Sequence, residues 1–411
     1  MNDVFITNYA VKGIKSLDKL VSVSLYKKVI TGDINTDDYN MKAIYGNNGS
    51  GKSAIISSFA ILKNLLLETS YLEKEETQVL LESIVNHKLN ELYIEVDFIA
   101  QNFNLRANFK YAVTLAKDGD KYIIKNESFK TKALTSKKQD YRIVFEIENG
   151  KIIKLVDSKE AKDFINDFKH ESRKQLKTSS VCSIFLDKFE FNFLYRSILV
   201  YRLNALLALA NNIYVISEIN NSYNQDLGYF DLDNLSVSRY NSFLKYLKSL
   251  TSFIKVFKSD LIDIEIDNKI YDNKSICTVN MQYDGYKVNV DKESKGIKKL
   301  IKLYAYLKEM LNGSIVVIDD IDADLHDVYL NKLIEYLMHN GEGQLIFTTH
   351  NTNIMNTIKK NKKSLDFLSD DHIIFNWINS GNYSPSNLYR GGMIEGLSFN
   401  ISAEDFADKL K

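Results

Sequence analysis

Hydrophobic and polar residues alternate along the first part of the chain in the way that β-strands require. The stretches VFITNYAV, KLVSVSLYKKVI and MKAIY each alternate, and the polar stretch TGDINTDDYN separates the last two. From Gly51 onward the spacing of the apolar residues becomes helical. One face of this predicted helix carries Ile55, Ile56, Phe59, Leu62 and Leu66. The pattern therefore predicts strands up to Tyr45 and a helix that begins near Gly51.

The middle of the chain predicts a small antiparallel β-subdomain followed by a mainly helical region. LYIEVDFIAQ, FNLRANFKYAVTLA and KYIIKNESF are typical of three successive strands, and RIVFEIENGKIIKLV is typical of a hairpin that turns at Asn149-Gly150. Residues 158–260 are predicted to be mainly helical. Within them, Ser197 to Ile216 is interpreted as one buried helix, because an arginine and three asparagines interrupt it too often for a membrane span. Strands return at LIDIEID and SICTVNMQYDGYKVNV.

A phosphate-binding loop connects the third predicted strand to the first predicted helix. The sequence GNNGSGKS fits the pattern G-x-x-x-x-G-K-[ST] at every required position. Glycines let the backbone N–H groups turn toward phosphates at the positive end of the next helix. We expect Lys52 to reach the β- and γ-phosphates of ATP and the Ser53 hydroxyl to bind Mg²⁺. The residues expected to contact the nucleotide are Gly46, Asn47, Asn48, Gly49, Ser50, Gly51, Lys52, Ser53 and Ala54.

Two further segments supply candidate residues for the chemistry. The apolar strand SIVVIDD ends in Asp319, which is expected to hold Mg²⁺, and in Asp320, which stands where a general base polarises the attacking water. A second apolar strand, QLIFTTHN, ends at His350, 31 residues after Asp319. About 25 residues before Asp319, a Ser-Lys-Gly turn opens the amphipathic helix in ESKGIKKLIKLYAYLKEML.

This order of motifs resembles that of ABC-type ATPase heads. ESKGIKKL resembles the signature ESDGTKRL, IDDIDADLH resembles IDEIDNGLH, and FTTHNTNIM resembles TTHDTNLL, which are hallmarks of OLD-like and AAA_15-type ATPases. The resemblance covers roughly residues 1–115 and 260–375. It implies an α/β fold, an ABC-type P-loop NTPase head in which a mixed sheet with an antiparallel β-subdomain carries an inserted helical lobe. The implied domains are 1–157 with the P-loop, the lobe 158–260, and 261–411 with the other motifs.

The resemblance also implies roles for individual residues. Ser294 and Gly296 would complete the ATP site of a partner subunit, Asp322 would lie in the D-loop, and His350 would contact the γ-phosphate or orient the attacking water. Two positions depart from the family pattern. Asp320 stands in place of the usual glutamate, which suggests slow hydrolysis or a switch that senses bound ATP, and Asp324 stands in place of a glycine. For His326, a role in the site and a packing role at a helix start remain open.

Composition narrows the class of protein. Lys+Arg and Asp+Glu balance at 53 each, which argues against a surface coated in positive charge for wrapping nucleic acid but allows a local basic patch. The two cysteines, Cys182 and Cys277, lack metal-ligand spacing and are expected to be buried thiols in a reducing compartment. The N-terminus shows no export signal, so a cytoplasmic location without membrane contact is expected.

The function predicted from these motifs is that of an ATPase subunit without its own effector. OLD nucleases carry a nuclease domain after their ATPase, and the 61 residues after His350 are too few for one. The pattern resembles the stand-alone ATPases of anti-phage (abortive infection) systems, such as AriA of PARIS or PtuA of Septu. The expected partners are a second copy of the chain or a higher even-numbered oligomer, a separate nuclease-like effector, and a trigger that is DNA or a phage protein. The alternative is a DNA-repair or chromosome-maintenance ATPase of the RecF or SMC-like kind.

Overall fold

The computed structural model of the protein describes residues 4–28, 30, 34–101, 107–134, 140–156, 166, 168–170, 172–188, 198–219, 237–271, 274–378 and 383–397. The helices are α1 (Lys52–Leu67), α2 (Glu75–Ile84), α3 (Val181–Lys188), α4 (Ile198–Asn212), α5 (Val237–Phe257), α6 (Lys295–Leu311), α7 (Asp327–Asn340), α8 (Thr352–Ile358) and α9 (Pro385–Arg390). The strands up to residue 216 are β1 (Val4–Lys12), β2 (Val21–Ser24), β3 (Met41–Gly46), β4 (Glu91–Ala100), β5 (Ala107–Asp118), β6 (Lys121–Ala133), β7 (Arg142–Glu148), β8 (Lys151–Leu155) and β9 (Ile213–Ile216). The later strands are β10 (Asp263–Tyr271), β11 (Lys274–Tyr283), β12 (Tyr286–Asn289), β13 (Ile315–Ile318), β14 (Gln344–Thr348), β15 (Leu365–Leu368) and β16 (Ile374–Asn376).

The central sheet has the strand order β16-β15-β3-β14-β13-β9. All neighbouring pairs run parallel except β15 and β16. Strands β3, β13, β14 and β15 are buried along their whole length, because helices cover both faces of the sheet. Side chains of α1 pack on one face, and side chains of α6, α7 and α8 pack on the other. The predicted α/β fold with a mixed sheet is confirmed.

The predicted antiparallel β-subdomain is a seven-stranded sheet in the order β2-β1-β4-β5-β6-β7-β8. Strand β1 of this sheet packs directly on α1, where the Tyr9 and Phe59 rings stack with centroids 3.7 Å apart and the Tyr9 hydroxyl lies 2.7 Å from the Ser58 hydroxyl. The hairpin between β7 and β8 turns at Asn149 and Gly150, which both have positive φ, as the tight turn requires. The subdomain therefore holds the helix that begins at the P-loop.

A third, three-stranded sheet in the order β10-β11-β12 lies with α5 and the start of α6 around its own apolar cluster. This cluster includes Ile264, Met281, Leu250 and Leu300. The sheet leads through the 3₁₀ turn Val290–Lys292 into α6. It thus determines where the predicted signature turn lies.

The predicted helix from Ser197 to Ile216 is too long. Ser197 lies outside the described residues, α4 ends at Asn212, and the next four residues form β9, which pairs in parallel with β13. The run Ile-Tyr-Val-Ile is rich in β-branched and aromatic residues, which favour a strand, and apolar spacing alone does not distinguish the two. Part of the predicted lobe 158–260 therefore belongs to the central sheet, while the domain boundaries stay a prediction.

None of the described helices is both long enough and apolar enough to cross a membrane. The Cys182 thiol is buried, as expected for that cysteine, and the side chain of Cys277 lies outside the described part of the chain.

One carboxyl group, Glu127 on β6, is buried at the junction between the β-subdomain and α3. It accepts hydrogen bonds from the Tyr111 hydroxyl (2.9 Å) and from the backbone N–H of Val181 (3.1 and 3.2 Å). Burial raises the pKa of Glu127 from 4.5 to about 7, and the hydrogen bonds from Val181 and Tyr111 oppose this rise only in part. The native state therefore holds this proton at pH values where the unfolded chain has lost it.

We expect this group to make the protein less stable as pH rises from about 4.5 to 7, since the native state binds more protons than the unfolded state in that window. The full effect is on the order of 3 kcal/mol. Glu127→Gln, which cannot ionise, should remove this part of the slope. The measurement is denaturant unfolding from pH 5 to 8. Glu148→Gln, at an exposed site on β7, is the control; a stability difference between Glu127→Gln and wild type that does not change with pH would contradict the assignment.

Candidate functional site

The predicted motifs meet at one edge of the central sheet, where the parallel strands reach their carboxyl ends. The P-loop follows β3, the two acids follow β13, and His350 follows β14. Ligands of open α/β sheets bind at this edge, because the loops that leave the strands there converge. The fold therefore brings together residues that lie more than 250 positions apart in the sequence.

The P-loop has the backbone shape that its glycines predict. Gly49 and Gly51 have φ values of 82° and 103°, and a Cβ atom at Gly46 would lie 2.5 Å from the Leu368 carbonyl oxygen. Helix α1 begins at Lys52 directly after the loop. Within the predicted contact residues, Asn48 is exposed and Ala54 is buried in the first turn of α1.

The Lys52 side chain lies back along its own loop. Its Nζ donates to the carbonyl oxygens of Gly46 and Asn47, both at 3.0 Å. Burial lowers the pKa of Lys52, and the nearby carboxylates of Asp320, Asp319, Asp322 and Asp370 oppose this shift. The arrangement is a buried cation whose hydrogen-bond partners are neutral carbonyl oxygens, so an anion in the loop would stabilise it further.

Unpartnered polar atoms inside the loop indicate room for such an anion. Ser50 is 2% exposed, and its Oγ finds no hydrogen-bond partner among the described residues; the same holds for Oδ1 of Asn47. Buried polar groups are nearly always paired, so orphan atoms at a P-loop are sites where a ligand or its water is expected. The residues present fit a nucleotide phosphate.

Ser53 and Asp319 meet at the position predicted for Mg²⁺. Thr348 at the end of β14 donates to Asp319 Oδ1 at 2.6 Å. Burial raises the pKa of Asp319, while the hydrogen bond from Thr348 and the nearby Ser53 hydroxyl lower it in part. A hydroxyl and a carboxylate are oxygen ligands of the kind that Mg²⁺ takes alongside nucleotide phosphates. The donor set fits the predicted metal.

Asp320 lies in a strained turn next to Asp319. Its φ is 44°, a left-handed conformation that aspartate tolerates better than most residues. Its backbone N–H donates to the Thr348 hydroxyl at 2.8 Å, and its carbonyl accepts from Lys299 Nζ at 3.1 Å. These two contacts with neighbouring elements therefore fix the backbone from which the Asp320 carboxylate projects.

The D-loop and the histidine loop are joined through Asp322. Its carboxylate accepts from the backbone N–H of His350 at 3.2 and 3.3 Å, and the His350 side chain remains exposed. This contact holds the two loops in a fixed relation at the rim of the site. The roles of Asp322 toward the nucleotide and of His350 toward the γ-phosphate stay predictions.

The predicted signature turn lies beside the D-loop of the same chain. Ser294 is exposed and caps α6, accepting from the Ile297 N–H at 3.3 Å. A Cβ atom at Gly296 would lie 2.7 Å from the carbonyl oxygen of Asp324, so only glycine allows this approach. Asp324 itself has a φ of 62°, which explains why the family pattern has glycine there. The contribution of Ser294 and Gly296 to a partner's site stays a prediction.

His326 has a structural role in this chain. It is the residue before α7, and its Nδ1 accepts from the Val328 N–H at 3.3 Å. Of the two interpretations left open by the sequence, the structure favours the helix start.

Several residues around the site carry no recognisable motif. Asp370 follows β15 and accepts from Asn47 Nδ2 at 2.9 Å. Lys299 is half-buried, and its pKa is lowered by burial and raised in part by Asp320, Asp322, Asp319 and Asp324. The Thr348 hydroxyl connects the two acids. The sequence lacks a signal for Asp370, since its position depends on β15 lying beside β3. Thr348 and Lys299 stand inside the quoted motifs. The strand end could have indicated Thr348, and the helical spacing could have indicated Lys299.

A family model described as "AAA domain, putative AbiEii toxin, Type IV TA system" (AAA_21) matches residues 42–356, well over half of the chain. The search of curated proteins gave no match. Among solved structures, one described as "Structure of the recombination mediator protein RecF-ATPrS in RecFOR pathway" is similar, with 11% sequence identity and a TM-score of 0.40, over 92% of this chain and 99% of that chain.

Proposed function

The chain belongs to the AAA_21 family of AAA domains, and we propose that it is an ABC-type ATPase that dimerises around ATP and regulates a separate effector. The observation that carries the ATPase part is the approach of the Ser53 hydroxyl to the Asp319 carboxylate, close enough to lower the pKa of that acid. It joins the P-loop to the acidic strand end at the place where a P-loop enzyme holds Mg²⁺.

Each predicted residue has a task in this proposal. The P-loop N–H groups and Lys52 bind the phosphates, and Lys52 exchanges the carbonyl oxygens of Gly46 and Asn47 for phosphate oxygens. Ser53 and Asp319 would hold Mg²⁺, which supplies charge neutralisation when bound. Asp320 positions the attacking water, and its side chain is one methylene shorter than the glutamate of the family pattern, which favours slow turnover.

Asp320→Asn and Asp319→Asn should separate chemistry from binding. Asparagine tolerates the left-handed φ of residue 320, so the turn should persist. We expect Asp320→Asn to bind Mg²⁺-ATP normally while its hydrolysis falls about tenfold or more. Asp319→Asn should instead weaken the binding of Mg²⁺ and so change how hydrolysis depends on the Mg²⁺ concentration, since it loses the metal-binding carboxylate. Nucleotide affinity and the Mg²⁺ titration of hydrolysis measure the two effects.

Asp324→Asn is the matched control, because it replaces an exposed acid of the same loop that also has a positive φ. It should leave both properties near wild type. An equal loss of nucleotide affinity in Asp319→Asn and Asp320→Asn would show that the two acids do not divide the work in this way.

The finer part of the proposal is a role in anti-phage defence. The description of the family names a putative AbiEii toxin and a Type IV TA system, which supports a connection with a toxin system. We propose that the chain senses a phage-derived trigger and controls a nuclease-like partner, as the resemblance to OLD-like and AAA_15-type subunits of PARIS or Septu implies. Slow hydrolysis suits such a switch, because an ATP-bound state then lasts.

A second candidate function, that of a DNA-maintenance ATPase, has one observation in its favour. A cavity of about 420 Å³ between β8 and residues 169, 173 and 176 is lined by four cationic side chains. They are Lys151, Lys154, Lys169 and Arg173. Clustered cations are the footprint of a phosphate backbone, although lysines on an edge strand such as β8 also prevent sheet-to-sheet aggregation.

One pair of measurements distinguishes the two functions. A defence subunit should co-purify with the product of an adjacent toxin-like gene and should protect cells from phage only when that gene is present. A DNA-maintenance ATPase should bind duplex ends with an affinity that falls steeply with salt, and the DNA should stimulate its hydrolysis. Stimulation by DNA without any effect of the neighbouring gene would overturn the defence proposal.

A further inference from the structure

Strand β9 brings another carboxylate, Glu218, to the edge of the sheet where the site lies. In the parallel register Ile216 lies beside Ile318, and the backbone N–H of Asp319 donates to the Ile216 carbonyl at 2.9 Å. Ser217, the first residue after β9, is therefore the neighbour of Asp319. Glu218 follows directly after it, at the carboxyl end of the strand.

Ser217 carries an unpartnered hydroxyl at this place. It is 5% exposed, and its Oγ has no hydrogen-bond partner among the described residues. Side chains alternate along a strand, and Val215 and Val317 both belong to the cluster that packs on α1. Ser217 and Asp319 continue this alternation toward the α1 side. A buried hydroxyl without a partner beside an acid marks a position for bound water.

The Glu218 carboxylate lies near the P-loop. It forms an ion pair with Lys15 at 3.2 Å, and the hydroxyl of the next residue, Ser16, donates to the Gly49 carbonyl oxygen in the P-loop at 3.3 Å. The Glu218 side chain is 72% exposed. Exposed ion pairs contribute little to stability, so the pair leaves the carboxylate free to turn toward a substrate.

We propose that Glu218 is a further catalytic residue of ATP hydrolysis, which accepts a hydrogen bond from the attacking water in support of the short Asp320. The inference rests on the proposed ATPase function. In the reaction, the water oxygen forms a bond to the γ-phosphorus, and the bond from that phosphorus to the bridging oxygen breaks. The bridging oxygen leaves with ADP and keeps the electron pair, while one proton of the water passes to a carboxylate and then to solvent.

The test compares wild type, Glu218→Gln and Lys15→Gln. The first variant removes the charge but keeps the shape, and the second removes the ion pair but keeps the carboxylate. We expect Glu218→Gln to lower kcat at least about tenfold. Its equilibrium Kd for Mg²⁺-ADP should stay near wild type, and nucleotide recovered with the protein after rapid gel filtration should be ATP, whereas wild type should retain ADP. Lys15→Gln should keep its hydrolysis, and all three proteins should melt at similar temperatures.

Three results would overturn the assignment. Wild-type kcat in Glu218→Gln would exclude a part in the reaction. An equal loss of activity and melting temperature in both variants would show that Glu218 acts only through its ion pair with Lys15. A higher Kd for Mg²⁺-ADP in Glu218→Gln, together with a shifted Mg²⁺ requirement, would show that Glu218 is a binding group instead. A wild-type protein without any ATP hydrolysis would refute the proposed function itself, so the two failures are distinguishable.

Discussion

Lys52→Ala should abolish ATP hydrolysis, with a fall in rate of about 100-fold or more. The Lys52 ammonium is the buried cation of the P-loop and lies within hydrogen-bond distance of two loop carbonyls. In the transferring phosphoryl group, charge spreads over the γ-phosphate oxygens, and a pre-positioned cation stabilises that charge without rearrangement. Steady-state hydrolysis by the purified variant, compared with wild type at saturating ATP, is the measurement.

The same substitution should leave the fold intact. Burial lowers the pKa of Lys52, which means that the ligand-free protein bears a desolvation cost for this charge. Lys52→Ala should therefore melt at or above the wild-type temperature. Lys63→Met is a matched control, since Lys63 is also a buried lysine of α1 but lies three turns further along the helix. It should retain ATP hydrolysis. Near-wild-type turnover in Lys52→Ala would contradict the P-loop assignment.

The motifs could be predicted from the sequence because each depends on a short stretch with its own geometry. The P-loop needs glycines where φ is positive, as at Gly49 and Gly51. The acids follow a strand so apolar that it can lie only inside the sheet. The order of these stretches resembles that of ABC-type ATPase heads, and this resemblance was sufficient to predict the α/β fold.

Residues that reach the site through the packing of separate strands could not be predicted. Glu218 reaches the same edge of the sheet as Asp319 only because β9 joins the sheet next to β13, and the sequence suggested that this stretch was the end of a helix. Asp366 on β15 forms an ion pair with Lys42 on β3 at 2.8 Å, with both side chains fully buried. A lysine within an apolar strand indicates a partner, but its identity depends on which strand lies alongside.

Backbone strain is the remaining feature of the site that could not be predicted from the sequence. Asp320 and Asp324 both adopt left-handed conformations, which cost most residues other than glycine free energy. The sequence shows that aspartate stands in place of glycine at Asp324. It does not show that the fold tolerates this residue, since that depends on the loop between β13 and α7. In that loop the Asp320 carbonyl accepts a hydrogen bond from Lys299, and the Asp324 carbonyl lies close to Gly296, so contacts with neighbouring residues hold the turn in place.

Lys52→Ala and Ser294→Arg should each be inactive alone and should complement each other when mixed. A P-loop leaves the γ-phosphate open on one side, and we expect the Ser294 turn of a second copy to close it, since helix N-termini present N–H groups to anions. Ser294 is exposed at the start of α6, as such a contact requires. In a two-fold pair each site takes its P-loop from one chain and its signature turn from the other.

The expected recovery follows from counting sites. In either homodimer both sites carry a lesion. In a mixed dimer one site carries both lesions and the other carries none. Random pairing makes about half of the dimers mixed, so roughly a quarter of wild-type sites should return if each site works independently. Ser294→Ala is the control, because it removes the same helix cap without adding a charge. The lost cap costs about 1 kcal/mol of stability. Native mass spectrometry should confirm that the mixed dimer forms.

A covalently linked dimer separates the remaining explanations if the mixed dimer forms but no activity returns. In that case, either both sites must work together or Ser294 acts within its own chain. The informative linked dimer carries Lys52→Ala and Ser294→Arg in one half and no substitution in the other. Under the shared-site arrangement, one of its sites has the alanine in its P-loop and the other has the arginine in its signature turn, so neither is intact and it should be inactive. Hydrolysis by this dimer would mean that each chain builds its own site, because only then does the unsubstituted half contain every group that the reaction needs.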